Sequence, residues 1–328
     1  MGEGFTPLVD GRLGSVPIRL KLDFLAPTGS YKDRGSAVMM TQLKEMGVRR
    51  ILEDSSGNAG ASIAAYAALA GIEADIYVPE STSAGKMAQI ESYGAHLVKV
   101  PGSREATAQA ALDAADKTFY ASHNWNPFFL AGMKTAAYEI AEQLGWKSPN
   151  WIVTPAGGGG LLGGLYLGFL EMVRAGFVSA MPRLAAAQSA NCDPIRQAWL
   201  RGAGDIPAVA KTDTAAEGIS VARPVRGKLI LEAIRKSDGV VCAVTDEQIW
   251  QALDTLGEQG IYVEPTAAAA PAAAQDLLAS RSIRAGETVV VMLTGSGLKA
   301  TDKIVAHRAA TREASAYENR EINSFAGD

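Results

Sequence analysis

Trp151-Ile-Val-Thr-Pro-Ala-Gly-Gly-Gly-Gly160-Leu-Leu-Gly-Gly164 sets a short apolar, β-favouring run against four consecutive glycines and then a second apolar stretch. The order reads as a buried strand, a tight turn and a helix start. Consecutive glycines expose backbone N–H groups at a helix N-terminus, which makes an anion site without any basic side chain. Tight helix packing alone is the weaker explanation, because glycines in series cost backbone entropy. Gly158, Gly160 and Gly163 also satisfy G-x-G-x-x-G, so a nicotinamide dinucleotide must be weighed. A ribose-binding acid is expected about 20 residues on, at the end of the next strand. That strand, Leu184-Ala-Ala-Ala-Gln188, ends without one. The turn therefore suits a monophosphate better than a dinucleotide.

The same strand-then-helix order repeats on either side. Strands are expected over 50–54, 75–79, 96–100, 118–122, 151–155, 184–189, 240–244 and 288–293, and helices over 36–46, 59–70, 83–93, 104–117 and 130–143. The alanine run Thr266–Ala274 reads as a helix with a proline kink. Alternation of this kind predicts an α/β protein with mainly parallel twisted sheets covered by helices. We expect a smaller α/β domain over 38–140 and a larger one from 1–37 plus 141–328. Residues 315–328 are polar and read as a loose tail.

The bulk properties narrow the function. The chain has 328 residues, enough for two sizeable cores, and is 48% hydrophobic with 20% charged residues, as in soluble globular proteins. A formal net charge of -4 with no basic stripe argues against nucleic acid. The longest apolar run, Gly160–Leu170, is too short to span a bilayer. The first residues lack the apolar core of a secretory signal, and Gly2 with Thr6 matches an N-myristoylation pattern only loosely. Cys192 and Cys242 make neither a disulfide framework nor a zinc site, so no metal is expected. A cytoplasmic enzyme fits these bounds.

Three further loops carry chemistry. Thr28-Gly-Ser-Tyr-Lys32-Asp-Arg-Gly35 puts an amine beside hydroxyls, just ahead of a helix. Burial disfavours an ammonium, and a buried lysine is a nucleophile fit for a Schiff base. A plain helix start, with Ser30 as cap and Asp33 in the first turn, fits the loop as well. Asp54-Ser-Ser-Gly-Asn58-Ala-Gly60 follows a strand and lets a flat ligand approach. Asn58 offers an amide to a phenolic oxygen, and an ordinary N-cap is the alternative. In Val291-Met-Leu-Thr294-Gly-Ser-Gly the Thr294 hydroxyl can face a ring nitrogen, or close a simple turn. A lysine, an anion cup, an amide and a polar ring partner together match pyridoxal 5'-phosphate.

Pro27-Thr-Gly-Ser-Tyr-Lys-Asp-Arg-Gly35, Ser55-Ser-Gly-Asn58 and Leu293-Thr-Gly-Ser-Gly-Leu-Lys299 resemble the motifs of the fold type II pyridoxal-phosphate enzymes, the tryptophan synthase β family. The likeness runs from Pro7 to Asp302, and within the family it looks most like threonine synthase. The resemblance implies that Lys32 forms the imine with the cofactor and that Asn58 contacts its ring oxygen. It further implies that Gly157, Gly158, Gly159 and Gly160 bind the phosphate, and that Thr294 meets the pyridine nitrogen. A homodimer is expected from the resemblance alone. The backbone at Ser55, Ser56, Asn58 and Ala59, opening a helix, suits a substrate carboxylate. His123 either lines the cleft or is structural.

Some features point elsewhere in the family. The Gly-Gly-Gly-Gly-Leu turn, Glu217-Gly-Ile219 and Val263-Glu-Pro-Thr266 look more like serine and threonine dehydratases. Threonine synthases tend to carry an arginine after an N-P-aromatic step, to hold the substrate phosphate. Here the step reads Asn126-Pro-Phe128-Phe129, and a ring does not replace a guanidinium fork. Arg34 and Lys86 are the candidate replacements. The expected activity is elimination or replacement on a small amino acid, through an aminoacrylate-type intermediate, with Lys32 as base. A serine/threonine dehydratase, a nicotinamide-dependent oxidoreductase and a cofactor-binding homologue without turnover are the alternatives.

Overall fold

The computed structural model describes residues 1–312, so the tail expected over 315–328 lies outside the described residues. Two sheets organise the chain. The larger holds β1 (Leu8–Leu13), β2 (Val16–Lys21), β7 (Trp151–Pro155), β8 (Arg183–Ser189), β9 (Val240–Val244) and β10 (Val289–Met292), in the order β1-β2-β10-β7-β8-β9. The smaller runs β5 (His96–Val100), β4 (Glu73–Pro79), β3 (Arg50–Glu53) and β6 (Phe119–Tyr120). Every pairing is parallel except β1 with β2, an antiparallel hairpin at the edge of the larger sheet. This α/β architecture with parallel sheets is the one expected from the sequence. The edge hairpin was not, because its first strand is half exposed and lacks a continuous apolar run.

Helices cover these sheets: α1 (Lys32–Glu45), α2 (Asn58–Ala70), α3 (Ala84–Ser92), α4 (Arg104–Ala114), α5 (Pro127–Met133), α6 (Thr135–Gln143), α7 (Gly160–Arg174), α8 (Pro194–Leu200), α9 (Gly227–Lys236), α10 (Asp246–Gly257) and α11 (Pro265–Ala279). The segment expected as one helix over 130–143 is two. Asn126 caps the first by accepting the Phe128 N–H at 2.8 Å, and Lys134 separates it from the second. Pro271 lies inside α11, whose alanines from 267 to 274 are buried. Small side chains let this helix lie close against the sheet, and the buried central strands β7 and β10 carry Ile, Val and Met between helices.

Where α1 crosses α5, the backbones touch. A Cβ on Gly132 would stand 2.1 Å from the Arg34 carbonyl oxygen, and one on Gly35 would stand 2.7 Å from the Phe129 ring. Gly35 is thus retained inside a helix, against its low propensity, because the crossing admits nothing larger. The crossing fixes the first turn of α1, which carries Lys32.

Candidate active site

Lys32 is the first residue of α1 rather than part of a preceding loop. Asp33 draws the helix start back by accepting the Thr28 backbone N–H at 2.7 Å and its hydroxyl at 2.5 Å. Tyr31, not Ser30, occupies the N-cap, without a side-chain cap bond. The Lys32 Nζ lies over the Tyr31 ring, 4.8 Å from its centroid. Unlike Lys21 and Arg34, it enters none of the ion pairs among the described residues.

Backbone contacts fasten this turn to the loop after β10. The Tyr31 N–H donates to the Thr294 carbonyl at 3.0 Å, and Ser30 bridges Gly295. The Glu264 N–H donates to the Gly295 carbonyl, also at 3.0 Å. Glu264 in turn holds Asn58, whose Nδ2 donates to its two carboxyl oxygens at 3.0 and 3.2 Å. Burial raises the Glu264 carboxyl above its ordinary range, against the Asn58 hydrogen bonds and the nearby Lys299 and Lys32 charges. Lys32, Asn58 and Thr294 therefore share one framework. Glu264 is its unforeseen member. Its Val-Glu-Pro-Thr context was noticeable in the sequence, but no local pattern pairs it with a residue 206 positions away.

The glycine turn joins the same framework. A Cβ on Gly157 would stand 3.0 Å from the Gly218 carbonyl oxygen, and the Gly218 N–H donates to Thr266 Oγ1 at 3.0 Å. Gly159 sits at φ +85°, where a Cβ would meet Ile230 at 2.3 Å, and a Cβ on Gly158 would meet Asn124 Oδ1 at 2.6 Å. Gly160, the first residue of α7, faces open space. The loop is packed from behind and open at the helix N-terminus, the form of an anion cradle. At the end of β8, Gln188 Oε1 accepts the Arg196 N–H at 3.0 Å and Ser189 donates to Thr214 at 2.8 Å. Neither is an acid suited to a ribose.

Ser55, Ser56 and Asn58 are half-buried and Ala59 is buried, at the turn from β3 into α2. Ahead of that turn, buried Glu53 meets His123 Nδ1 at 2.5 Å. Burial, reinforced by the like charge of Asp54, holds Glu53 well above the carboxylate range. Burial and then the Lys32 charge hold His123 well below the imidazole range. Both shifts favour the uncharged forms of the two groups. His123 lies within electrostatic reach of Lys32 and edge-on to Phe129, at 5.9 Å between ring centroids.

Neither cation suggested as a stand-in at position 129 is free. Arg34 is buried and donates to Asp23, Glu139, Thr6 and Thr135. Lys86 pairs with Glu217 at 2.8 Å. Phe129 is itself buried in the core, against Gly35.

Three buried side-chain polar atoms have no hydrogen-bond partner among the described residues: Ser30 Oγ, Glu53 Oε2 and Arg226 Nε. Ser30 is two residues from Lys32, Glu53 touches His123, and the Arg226 Cβ is 3.7 Å from the Cβ position of Gly159. Natural proteins leave few such groups, and these flank the lysine and the glycine cradle. A lysine outside any described ion pair, a glycine cradle with an open mouth and an amide held by a carboxyl together fit a phosphorylated aldehyde cofactor.

Comparison with known proteins identifies that cofactor. Residues 1–295 match the family described as pyridoxal-phosphate dependent enzyme, and the chain belongs to it. The threonine synthase of Methanocaldococcus jannaschii is 36% identical over 315 residues, covering 92% of this chain and 77% of the relative. Among solved structures, the T.th. threonine deaminase is 26% identical at a TM-score of 0.74, covering 89% of this chain and 92% of that one. A fungal L-serine ammonia-lyase from Rhizomucor miehei shares the fold at 24% identity and a TM-score of 0.79, covering 89% and 93%. The protein is a threonine synthase-like enzyme whose cofactor is pyridoxal 5'-phosphate.

Proposed function

We propose that this enzyme carries out elimination or replacement on a small amino acid, in the manner of a threonine synthase, with Lys32 as its base and cofactor anchor. The observation that carries the reading is the placement of Lys32 at the start of α1, fastened to the Thr294 loop through the 3.0 Å Tyr31–Thr294 bond. Pyridoxal phosphate, when bound, supplies the electron sink that makes a substrate Cα–H acidic. The Lys32 amine takes that proton at Nζ. Backbone N–H groups of Gly157–Gly160 hold the cofactor phosphate, and those of Ser55, Ser56, Asn58 and Ala59 hold the substrate carboxylate. Asn58 serves the ring oxygen, with Glu264 orienting its amide. Thr294 would offer the ring nitrogen an uncharged partner.

A serine/threonine dehydratase is the second reading, favoured by the buried ring at position 129 and by the likeness to a threonine deaminase. A cytoplasmic homodimer without nucleic-acid partners belongs to the same proposal. No described helix is long and apolar enough to cross a membrane.

A substrate panel on the cofactor-loaded protein tests the reading. Threonine and phosphate from O-phosphohomoserine, lost in Lys32→Ala, are expected. Pyruvate or 2-oxobutyrate released from serine or threonine instead favours the dehydratase. Turnover surviving in Lys32→Ala contradicts both.

A further inference from the structure

Glu53 and His123 are brought together by the ladder of the smaller sheet. β3 and β6 pair in parallel with Leu52 opposite Tyr120, and the Ala121 N–H extends the pairing by donating to the Leu52 carbonyl at 2.9 Å. The two strands therefore end side by side, at the edge of the sheet where α/β proteins bind ligands. Asp54, next in the chain, has both carboxyl oxygens taken, by Arg104 and by the Tyr120 hydroxyl, each at 2.6 Å. No lysine or arginine pairs with Glu53 among the described residues. Its side chain is wholly buried, Oε1 meets His123 Nδ1 at 2.5 Å, and Oε2 has no described partner.

His123 stands between the parts of the site. Its carboxyl partner leads directly into the turn from Asp54 to Asn58. Its neighbour Asn124 borders Gly158 of the cradle, and Arg226 holds the same segment by donating to the Asn126 carbonyl at 3.1 Å. The Lys32 charge reaches the imidazole. The His123 side chain keeps 13% of its surface open, while that of Glu53 keeps none. Its Nε2 has no hydrogen-bond partner among the described residues. A histidine fixed through one ring nitrogen and open at the other is an oriented acid or base. Neither residue has a part in the chemistry assigned to Lys32.

We propose that His123 is the acid that protonates an oxygen leaving group of the substrate, and that Glu53 orients it and restores its proton. This assignment rests on the elimination or replacement chemistry of the preceding subsection and adds how the leaving group departs. The bond from carbon to the leaving oxygen breaks with its electron pair on oxygen. His123 Nε2–H gives its proton to that oxygen as the Glu53 carboxyl O–H gives its own to Nδ1. The imidazole changes tautomer and stays neutral, and Glu53 becomes a carboxylate. Lys32 has meanwhile gained the substrate Cα proton, so one proton passing through solvent from its ammonium to Glu53 closes the cycle. Burial favours the neutral form of both residues and so keeps the relay loaded.

Two leaving groups, compared on the pyridoxal phosphate-loaded enzyme, test the relay. One is the oxygen of whichever among serine, threonine and O-phosphohomoserine wild type turns over fastest. The other is the chloride of β-chloroalanine, which departs without a proton. Glu53→Gln keeps a hydrogen bond to Nδ1 but has no acidic proton, and His123→Asn keeps the contact with Glu53 but removes Nε2. Each should lower kcat on the oxygen substrate about 10²-fold with KM within about threefold, and the double variant should be no slower than the worse single one. On β-chloroalanine the losses should be smaller by about tenfold or more. In wild type the oxygen substrate should show an alkaline decline in kcat, as Glu53 ionises, that β-chloroalanine lacks. Lys32, Asp54, Arg104 and Arg226 are the charges facing the pair, and their titration is common to both substrates. In the apoprotein near neutral pH, an infrared band of a protonated carboxylic acid should be present in wild type and lost in Glu53→Gln. Visible absorbance of bound pyridoxal phosphate reports that the variants fold. Unchanged rates in both variants, equal losses on the two substrates, or an ionised Glu53 in the apoprotein overturn the relay and leave the preceding reading in place. Wild type inert toward all of these substrates overturns that reading, and the relay with it.

Discussion

Arg34 and Arg226 are two inward-turned guanidinium groups of one chain, and they are provided for in opposite ways. Arg34 reaches Asp23 through Nε and Nη2, both at 2.8 Å, and Glu139 at 2.5 and 2.8 Å, with Lys21 joining Glu139 at 2.8 Å. Among the described residues, Arg226 has a single carbonyl and no acceptor for its Nε. The first arrangement ties the β1–β2 edge and α1 to α6, and it leaves nothing for a ligand. The second leaves a donor unspent next to the cradle. A satisfied buried charge is part of the frame, whereas a buried donor with no described partner is left to water or to a ligand.

The largest expected effect separates site from frame. Lys32→Ala should lower kcat by about 10⁴-fold, at the upper end for a lost general base, while leaving the urea midpoint unchanged. Equal loss of stability would mean that Lys32 also belongs to the frame. Arg34→Met should do the reverse and cost about 3–5 kcal/mol in urea unfolding, because Asp23 and Glu139 would be left buried without their partner. Arg226→Ala, by the same measurement, should move stability by less than about 1 kcal/mol.

Two neighbouring glycines sharpen the contrast. Gly159→Ala forces a Cβ against Ile230 at positive φ and should cost about 1–3 kcal/mol in thermal unfolding. Gly160→Ala meets no protein atom and should leave the apoprotein at least as stable, while weakening pyridoxal phosphate binding in an absorbance titration.

The smallest effect lies in the pH dependence. Burial raises Asp23 and Glu139, but the Arg34 charge and hydrogen bonds outweigh it and hold both below the carboxylate range. Their contribution to stability is full above pH about 4 and is lost as pH falls through the lowered values. Glu53 is raised, so its contribution is full below its unfolded value of about 4.3 and fades as pH rises toward the folded one. Glu53→Gln should therefore flatten the decline in stability on the alkaline side and leave the acid limb in place. A flattened acid limb would show that the signs are reversed.

Much of this was legible in the sequence because it is local. The strand and glycines at 151–164 carry the α/β reading within fourteen residues, and Lys32, Asn58 and Thr294 each stand in a recognisable turn. What escaped depends on distance along the chain. Glu264 acquires meaning only when it meets Asn58, and Arg226 only when α9 carries it to Asn126 and Gly159. The start of α1 was placed too late because Gly35 disfavours helix locally, whereas the crossing with Gly132 requires it. Arg34 drew attention as a free cation because its acids lie elsewhere in sequence, at 23 and 139.

Lys299 is the informative rival to Lys32. It is half-buried near Gly29, burial lowers its ammonium below the usual lysine range, and it hydrogen-bonds Gln89 and the Thr28 carbonyl. Borohydride reduction of the pyridoxal phosphate-loaded protein, followed by peptide mass spectrometry, decides between them. A pyridoxyl group on Lys32 is predicted. The same group on Lys299 or any other lysine, with Lys32 unmodified, would contradict the account.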